Sequence, residues 1–260
     1  MKRITFFLFL FVGSICHSQD RIQLNNNNLN DSLKVIKKTI KNYEDGLFQN
    51  EQIVLFTYEN NLVSKIETTQ NGDFIEDVEV KYENGNLKQM NLFYTTLRHD
   101  KKKIINPPTE NVNAIYNYDD ANLIITLSKE CNGLKRIHYF TYNDAQQLIT
   151  EKEIQDGITL IEKKYKYDKN GNLYNKKDFI AREYDYYKTY DDKKNPFSLI
   201  YPDAYLKVYK ISKNNIISCN INGKSYTYEY EYNSSNYPVK IIEKNGRKIQ
   251  SETIIEYRKI

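Results

Sequence analysis

The chain has 260 residues, of which 13% are aromatic and 28% charged, and its formal net charge at pH 7 is +4. So small a positive charge, spread along the chain without a basic stripe, excludes binding to nucleic acid through its phosphates. Aside from the N-terminal segment, no apolar stretch approaches the length of a transmembrane helix.

Residues 1–18 have the composition of a secretory signal peptide. Lys2 and Arg3 supply a positive start, an apolar run from Ile4 to Val12 follows, and small residues precede the expected cleavage site. The run is too short to anchor the chain in a bilayer. A lipid on Cys16 is the alternative. Removing the signal peptide lowers the net charge to +2, and export places the protein in the periplasm, on the cell surface or outside the cell.

The next two segments differ in character. Residues 19–32 are polar and rich in asparagine, which is typical of a frayed tail. The stretch from Leu33 to Tyr43 fits a helix by the spacing of its apolar residues, and fits a strand by its β-branched content. Because the turn residues Asp45-Gly46 and a second strand pattern follow, we predict a strand, and we place the start of a single domain, 33–260, at Leu33.

From that point an aromatic run, a tight polar turn and an apolar residue recur about every 24 residues. A fixed period of this kind indicates one supersecondary unit repeated along the chain. The repeats are marked by Tyr58, Tyr82, Tyr118, Tyr142, Tyr167, Tyr190, Tyr232 and Tyr257.

Within the repeats, side-chain character alternates with a period of two. In the stretch Ile161–Tyr167 one face carries Ile161, Tyr165 and Tyr167, and the other carries charged residues. The pattern predicts a shared inward set of tyrosines: Tyr82, Tyr142, Tyr165, Tyr167, Tyr228 and Tyr230.

Turns between the strands are marked by Asn-Gly pairs, and Gly85, Gly171 and Gly246 are expected to have positive φ. The predicted fold is therefore all-β: a repetitive antiparallel β-meander of about 15–18 strands, forming a curved or rolled sheet from ~24-residue hairpin repeats.

Two gaps in the period contain prolines, which are excluded from central strands. We interpret them as loops inserted on the scaffold, at 98–113 and 195–203. Because binding residues are often carried by loops on a rigid scaffold, we predict partner binding there. The candidate residues are Arg98, Lys101, Lys102 and Lys103 for an anionic group, and Phe197 and Tyr201 for a flat apolar or sugar surface.

The unit Tyr-Asp-x-x-Gly-Asn-Leu, clearest at Tyr167–Leu173, resembles the YD repeat of Rhs-type proteins. The leader, the ~24-residue units and the segment Tyr190–Phe197 together resemble exported Bacteroidota proteins of porin-like or YD-repeat-like families of the DUF4595 type. The resemblance covers about residues 33–260. It implies fold and export, and it implies no activity.

The chain offers little catalytic chemistry. His99 and His138 are not spaced as metal ligands, and His138 is expected to be a surface histidine or one with its hydrogen bonds satisfied within a strand. The acidic pairs Asp119-Asp120 and Asp191-Asp192 fall in turns, where aspartate bonds its own backbone. No G-x-S-x-G motif, Cys/His constellation or phosphate loop is present. We therefore expect no enzyme activity, no cofactor and no metal.

Cys131 and Cys219 remain after cleavage, and whether they pair is left open, with two separate thiols preferred.

These observations lead to three functional hypotheses. The first is an exported β scaffold that binds a protein partner or surface glycan. The alternative is an outer-membrane β-barrel, against which the charged outer face of the strands argues, because lipid-facing positions must be apolar. A small secreted hydrolase is the second alternative.

Overall fold

A computed structural model describes residues 33–95 and 109–259, and in this part of the chain sixteen strands form one closed barrel. The bounds of the strands, in chain order, are β1 Leu33–Glu44, β2 Leu47–Glu59, β3 Leu62–Gln70, β4 Asp73–Glu83, β5 Asn86–Thr95, β6 Thr109–Tyr118, β7 Ile124–Cys131, β8 Leu134–Tyr142, β9 Leu148–Gln155, β10 Ile158–Tyr167, β11 Leu173–Asp178, β12 Glu183–Tyr190, β13 Ile216–Ile221, β14 Lys224–Tyr232, β15 Pro238–Asn245 and β16 Lys248–Lys259. A 3-10 helix, Pro196–Leu199, and a short helix α1, Asp203–Val208, lie between β12 and β13.

The antiparallel meander and the strand number predicted from the repeat are confirmed, and the stretch from Leu33 is a strand. The predicted curved or rolled sheet differs from the structure in one respect, because the sheet closes. β1 pairs antiparallel with β16 from Leu33 opposite Lys259 to Asn42 opposite Ser251. Closure removes both edge strands, and with them the unpaired backbone groups that an open sheet would expose.

The barrel has two different ends. At the tyrosine end, each even-numbered strand before β16 passes its repeat tyrosine and turns into the next strand, as at Asn84-Gly85 and 168–172. At the opposite end, two-residue turns are found among the described connections, as at Asn71-Gly72 and Asp156-Gly157. Gly85, Gly171 and Gly246 have φ of +80°, +87° and +60°, which confirms the prediction for these three glycines.

The inward face is the tyrosine face, as predicted. Tyr165 and Tyr228 are buried, and the other four members of the predicted set are half-buried and pack against the core. Tyr118, which the alternation did not assign to this set, packs in the same way. The repeat therefore places its aromatic rings inside the barrel, where they fill space between neighbouring strands.

The second predicted loop is not a surface loop. Phe197, Ile200 and Tyr205 are buried and belong to the same core as the inward strand residues. The 3-10 helix contacts β1, and α1 contacts β7. The segment 191–215 thus lies within the tyrosine end of the barrel, and we call it the plug. This packing corrects the interpretation of 195–203 as a loop inserted on the surface of the scaffold.

Candidate functional site

The plug is built on an ordinary repeat turn. In the unmodified turn at 168–172, Asp168 Oδ1 accepts hydrogen bonds from the backbone N–H groups of Asn170 and Asn172. Asp191 Oδ1 accepts in the same way from Lys193 and Asn215, although these two donors are 22 residues apart in sequence. The plug therefore leaves the strand pairing of its turn intact. The role of Asp119 is also that of a turn residue, because its Oδ1 accepts from Ala121 and Leu123.

Stacked tyrosines connect the plug to the barrel wall. The rings of Tyr201, Tyr205 and Tyr209 stack in sequence, with centroids 4.2 Å apart at both steps. Tyr209 shares a hydroxyl–hydroxyl hydrogen bond of 3.2 Å with Tyr116 on β6. On the other side, Lys38 Nζ on β1 lies 4.9 Å from the ring centroid of Phe197. The plug consequently reaches strands on distant parts of the wall.

A buried ionic network fixes the end of the plug. Lys210 Nζ lies 2.8 Å from Glu151 Oε2 on β9, and Tyr165 donates a short hydrogen bond to the same oxygen. His138 Nδ1 lies 3.2 Å from Glu151 Oε1. His138 Nε2 lies 3.3 Å from Glu153 Oε2 but has no hydrogen bond. Arg136 completes the network, with its Nη1 3.1 Å from Glu153 Oε1.

Burial sets the protonation behaviour of this network. Burial lowers the pKa of Lys210 to about 8, and the charge of Glu151 partly opposes the decrease. Burial by itself would raise the pKa of Glu151, but the charge of Lys210 and the hydrogen bond with His138 hold it well below its usual range. Burial also lowers the pKa of His138. The charged forms of the Glu151 carboxylate and the Lys210 ammonium therefore stabilise each other inside the barrel.

Of the six predicted binding residues, Phe197 and Tyr201 lie in the described part of the chain. Arg98, Lys101, Lys102 and Lys103 lie outside the described residues. Phe197 is buried in the plug and is not presented to solvent, whereas Tyr201 is half-buried and stacked on Tyr205. Within the described ranges, no cluster of His, Cys, Asp or Glu could hold a metal ion, and no helix is long and apolar enough to cross a membrane. Cys131 and Cys219 lie on β7 and β13, and their sulfurs are not bonded to each other.

Sequence reasoning missed the plug and its ionic network. A usable signal was present in the spacing of the plug's apolar residues, Phe197, Ile200, Ala204, Val208 and Ile211, at intervals of three or four. The partnership of Lys210 with Glu151 carried no such signal, because 59 residues separate them.

Ion pairs lie on the outer wall over β15, β16 and β1. Lys37 and Glu256 lie 2.7 Å apart across the β1–β16 pair, and Lys240 lies 2.7 Å from Glu252 across β15–β16. Each of these residues is on the face opposite the buried tyrosines. The outer wall therefore carries paired charges on these three strands.

No family model and no curated protein matches the chain. Among solved structures, a porin-like protein from Bacteroides uniformis is similar, with a TM-score of 0.54 and 13% identity over 86% of this chain and 97% of the other. A chain in a structure of TcdB2-TccC3-Cdc42 also matches, at 16% identity and a TM-score of 0.30, but this chain covers only 11% of its length. The first similarity shows a porin-like fold. Barrel closure and this shared fold support the outer-membrane β-barrel alternative better than the open exported scaffold.

Proposed function

We propose that this protein is an exported, internally filled β-barrel of the cell envelope that binds a partner at its surface and does not conduct solutes. The observation that carries the proposal is the plug, whose buried aromatic residues and Lys210–Glu151 ion pair occupy the tyrosine end of the lumen. A conducting barrel needs a water-filled lumen, whereas here the plug, with its apolar core, occupies the lumen at the tyrosine end.

Two observations bear on whether the barrel lies in lipid or in water. Closure at sixteen strands and the porin-like fold favour an outer-membrane barrel, which is the second candidate. The ion pairs of the outer wall, such as Lys240–Glu252 and Lys244–Glu229, favour water, since a charged residue facing lipid costs roughly 2–4 kcal/mol at the midplane. We propose the aqueous arrangement, with the barrel wall available to ligands.

Enzyme activity is not part of the proposal. His138 and Glu151 are a possible acid–base pair, but both are buried inside the barrel beside the plug. Such a pair serves catalysis only if a substrate can reach it. We assign it to holding the plug.

Fractionation of native envelopes tests the proposal. A carbonate wash at high pH releases proteins attached to a membrane surface and leaves integral barrels in the pellet. We expect the protein in the wash, and no conductance steps after addition of purified protein to a planar lipid bilayer. Retention in the pellet together with conductance would establish the membrane barrel in its place.

A further inference from the structure

The outer wall over β11 and β12 carries a cluster of exposed aromatic rings. Tyr174 is 41% exposed and Tyr184 is 51% exposed. Tyr174 packs edge-on against Tyr186, with the ring centroids 4.5 Å apart, and their hydroxyls are in contact. By register, Tyr186 lies opposite Asn175 and Tyr184 lies opposite Lys177. These residues form one continuous outward surface, which we call the aromatic wall.

Three lysines surround these rings. Lys164, Lys166 and Lys177 are exposed, and within the described residues none has a carboxylate within the 4.0 Å of an ion pair. Lys164 Nζ and Lys177 Nζ instead lie 5.2 Å and 4.7 Å from the ring centroid of Phe179. By contrast, Lys240 on β15 is paired with Glu252. The lysines of the aromatic wall therefore leave positive charge uncompensated beside its rings.

An amide donor lies in the floor of this surface. Asn175 is 5% exposed and its Nδ2 has no hydrogen-bond partner. The register places it between Lys166 and Tyr186, on the outward face. A buried amide without an acceptor is costly, and a ligand oxygen would satisfy it.

We propose that the aromatic wall binds an acidic polysaccharide, an inference that rests on the proposed binding function. The C–H faces of a pyranose ring pack on Tyr174 and Tyr184, and a uronate or sulfate group pairs with the lysines. A hydroxyl or ring oxygen accepts from Asn175 Nδ2.

An acidic peptide fits this surface less well. The strands β10, β11 and β12 are paired on both sides, so no free edge is available for strand addition. A row of rings on a paired sheet wall also lacks the groove that an amphipathic helix requires. A sugar chain needs neither an edge nor a groove.

The test measures binding of purified mature protein to alginate, a polyuronate, with heparin, neutral dextran and poly-glutamate as further probes. One variant combines Tyr174→Ala with Tyr184→Ala, and a second combines Lys164→Gln, Lys166→Gln and Lys177→Gln. The controls are Tyr139→Ala on β8, where the ring is about as exposed as that of Tyr174, and the pair Lys240→Gln with Lys244→Gln, where both lysines are paired with glutamates. Thermal melts verify that each variant is folded.

We expect alginate or heparin to bind, dextran and poly-glutamate to bind at least tenfold more weakly, and both wall variants to lose at least tenfold in affinity while the controls do not. Equal binding of poly-glutamate would reduce the site to charge alone and overturn the assignment to a sugar. Polysaccharide binding that both wall variants retain would overturn the site and leave the proposed function standing. Conductance and membrane retention would overturn the proposed function itself.

Discussion

At the scale of single residues, the repeat tyrosine acts through its hydroxyl as well as its ring. In six of the eight repeats the hydroxyl of the repeat tyrosine donates to a backbone carbonyl near the start of the preceding strand, and in a seventh Tyr230 does so, at distances between 2.6 and 2.8 Å. The pairs are Tyr58–Val35, Tyr118–Leu87, Tyr142–Ile124, Tyr167–Leu148, Tyr190–Leu173, Tyr230–Ile216 and Tyr257–Pro238. A phenylalanine could fill the same space, but it would leave that carbonyl without its donor. The period therefore selects tyrosine for a hydrogen bond inside an aromatic core.

This account predicts different costs for two tyrosines at equivalent positions. Tyr142→Phe removes a hydrogen bond of 2.7 Å to Ile124 O and should lower the free energy of unfolding by about 1–2 kcal/mol. Tyr82→Phe is the matched control, because the buried Tyr82 hydroxyl has no partner, and it should be neutral or stabilising. Urea unfolding of both variants measures the difference. Equal losses would mean that the ring, and not the hydroxyl, explains the tyrosine.

A second prediction at this scale concerns the buried carboxyl of Glu243 on β15. Burial raises its pKa to about 7, and a hydrogen bond from Tyr228 opposes the increase. Because the folded pKa exceeds the unfolded one, the folded state binds more protons between about pH 4.5 and 7, and this group's contribution to stability falls as pH rises through that window.

Glu243→Gln removes this contribution. We expect the variant to match the wild type near pH 4 and to exceed its free energy of unfolding by about 1–3 kcal/mol at pH 8. Denaturant unfolding of both proteins at several pH values measures the difference curve, in which the other carboxyls cancel. A difference that does not change between pH 4 and pH 8 contradicts the raised pKa.

At the scale of elements, the plug shows which information the sequence held. The hairpins were predictable, because period-two alternation and turn residues such as Asn84-Gly85 are local signals. The plug was interpreted as a loop since Pro196 and Pro202 exclude a strand, but proline is equally suited to the start of a helix. No local signal indicated that the apolar face of the plug faces the lumen, where Tyr205 is only 2% exposed.

Truncating the plug's central ring tests whether the plug is part of the core. Tyr205→Ala should lower the free energy of unfolding by about 3–5 kcal/mol, since it empties a fully packed site. Asp203→Ala on the same helix loses only a partly exposed pair with Lys207 and should cost at most about 1 kcal/mol. Thermal melts rank the two variants. A plug that only rests in the lumen as a loop would give similar, small effects.

The ion pair Lys210–Glu151 should be strongly coupled. Either Lys210→Met or Glu151→Gln leaves a buried group without its counterpart, and each single change is expected to cost about 3–5 kcal/mol. The double variant should cost less than the sum of the two, which a double-mutant cycle by urea unfolding measures. The exposed pair Lys37–Glu256 serves as the control, with a coupling energy below about 1 kcal/mol. Additive effects at Lys210 and Glu151 would refute the role of the pair.

At the scale of the whole molecule, the sequence repeat did not predict that the sheet closes into a barrel. Each repeat dictates a hairpin and an inward face, and sixteen such strands could form an open sheet or a barrel. The choice depends on whether β1 and β16 meet in register, as Lys37 and Glu256 do at a separation of 219 residues. Bulges on the strands, such as the shift at Val35/Lys37, add the twist and stagger that closure requires.

In a closed barrel the chain ends can be moved to any turn without loss of strand pairing. A circular permutation tests this. Leu33 and Lys259 are opposite each other, so a four-residue linker can join residue 259 to residue 33 as one more hairpin, with new termini at Asn222-Gly223. In a barrel this permutant should fold and unfold cooperatively, with a Tm within a few degrees of that of the parent chain. In an open sheet the same ends would lie about 70 Å apart across fifteen strand spacings, while four residues reach only about 14 Å. A permutant with a flexible linker of about 40 residues, which reaches across either architecture, is the matched control. Folding with the long linker but not with the short one would contradict the closed barrel.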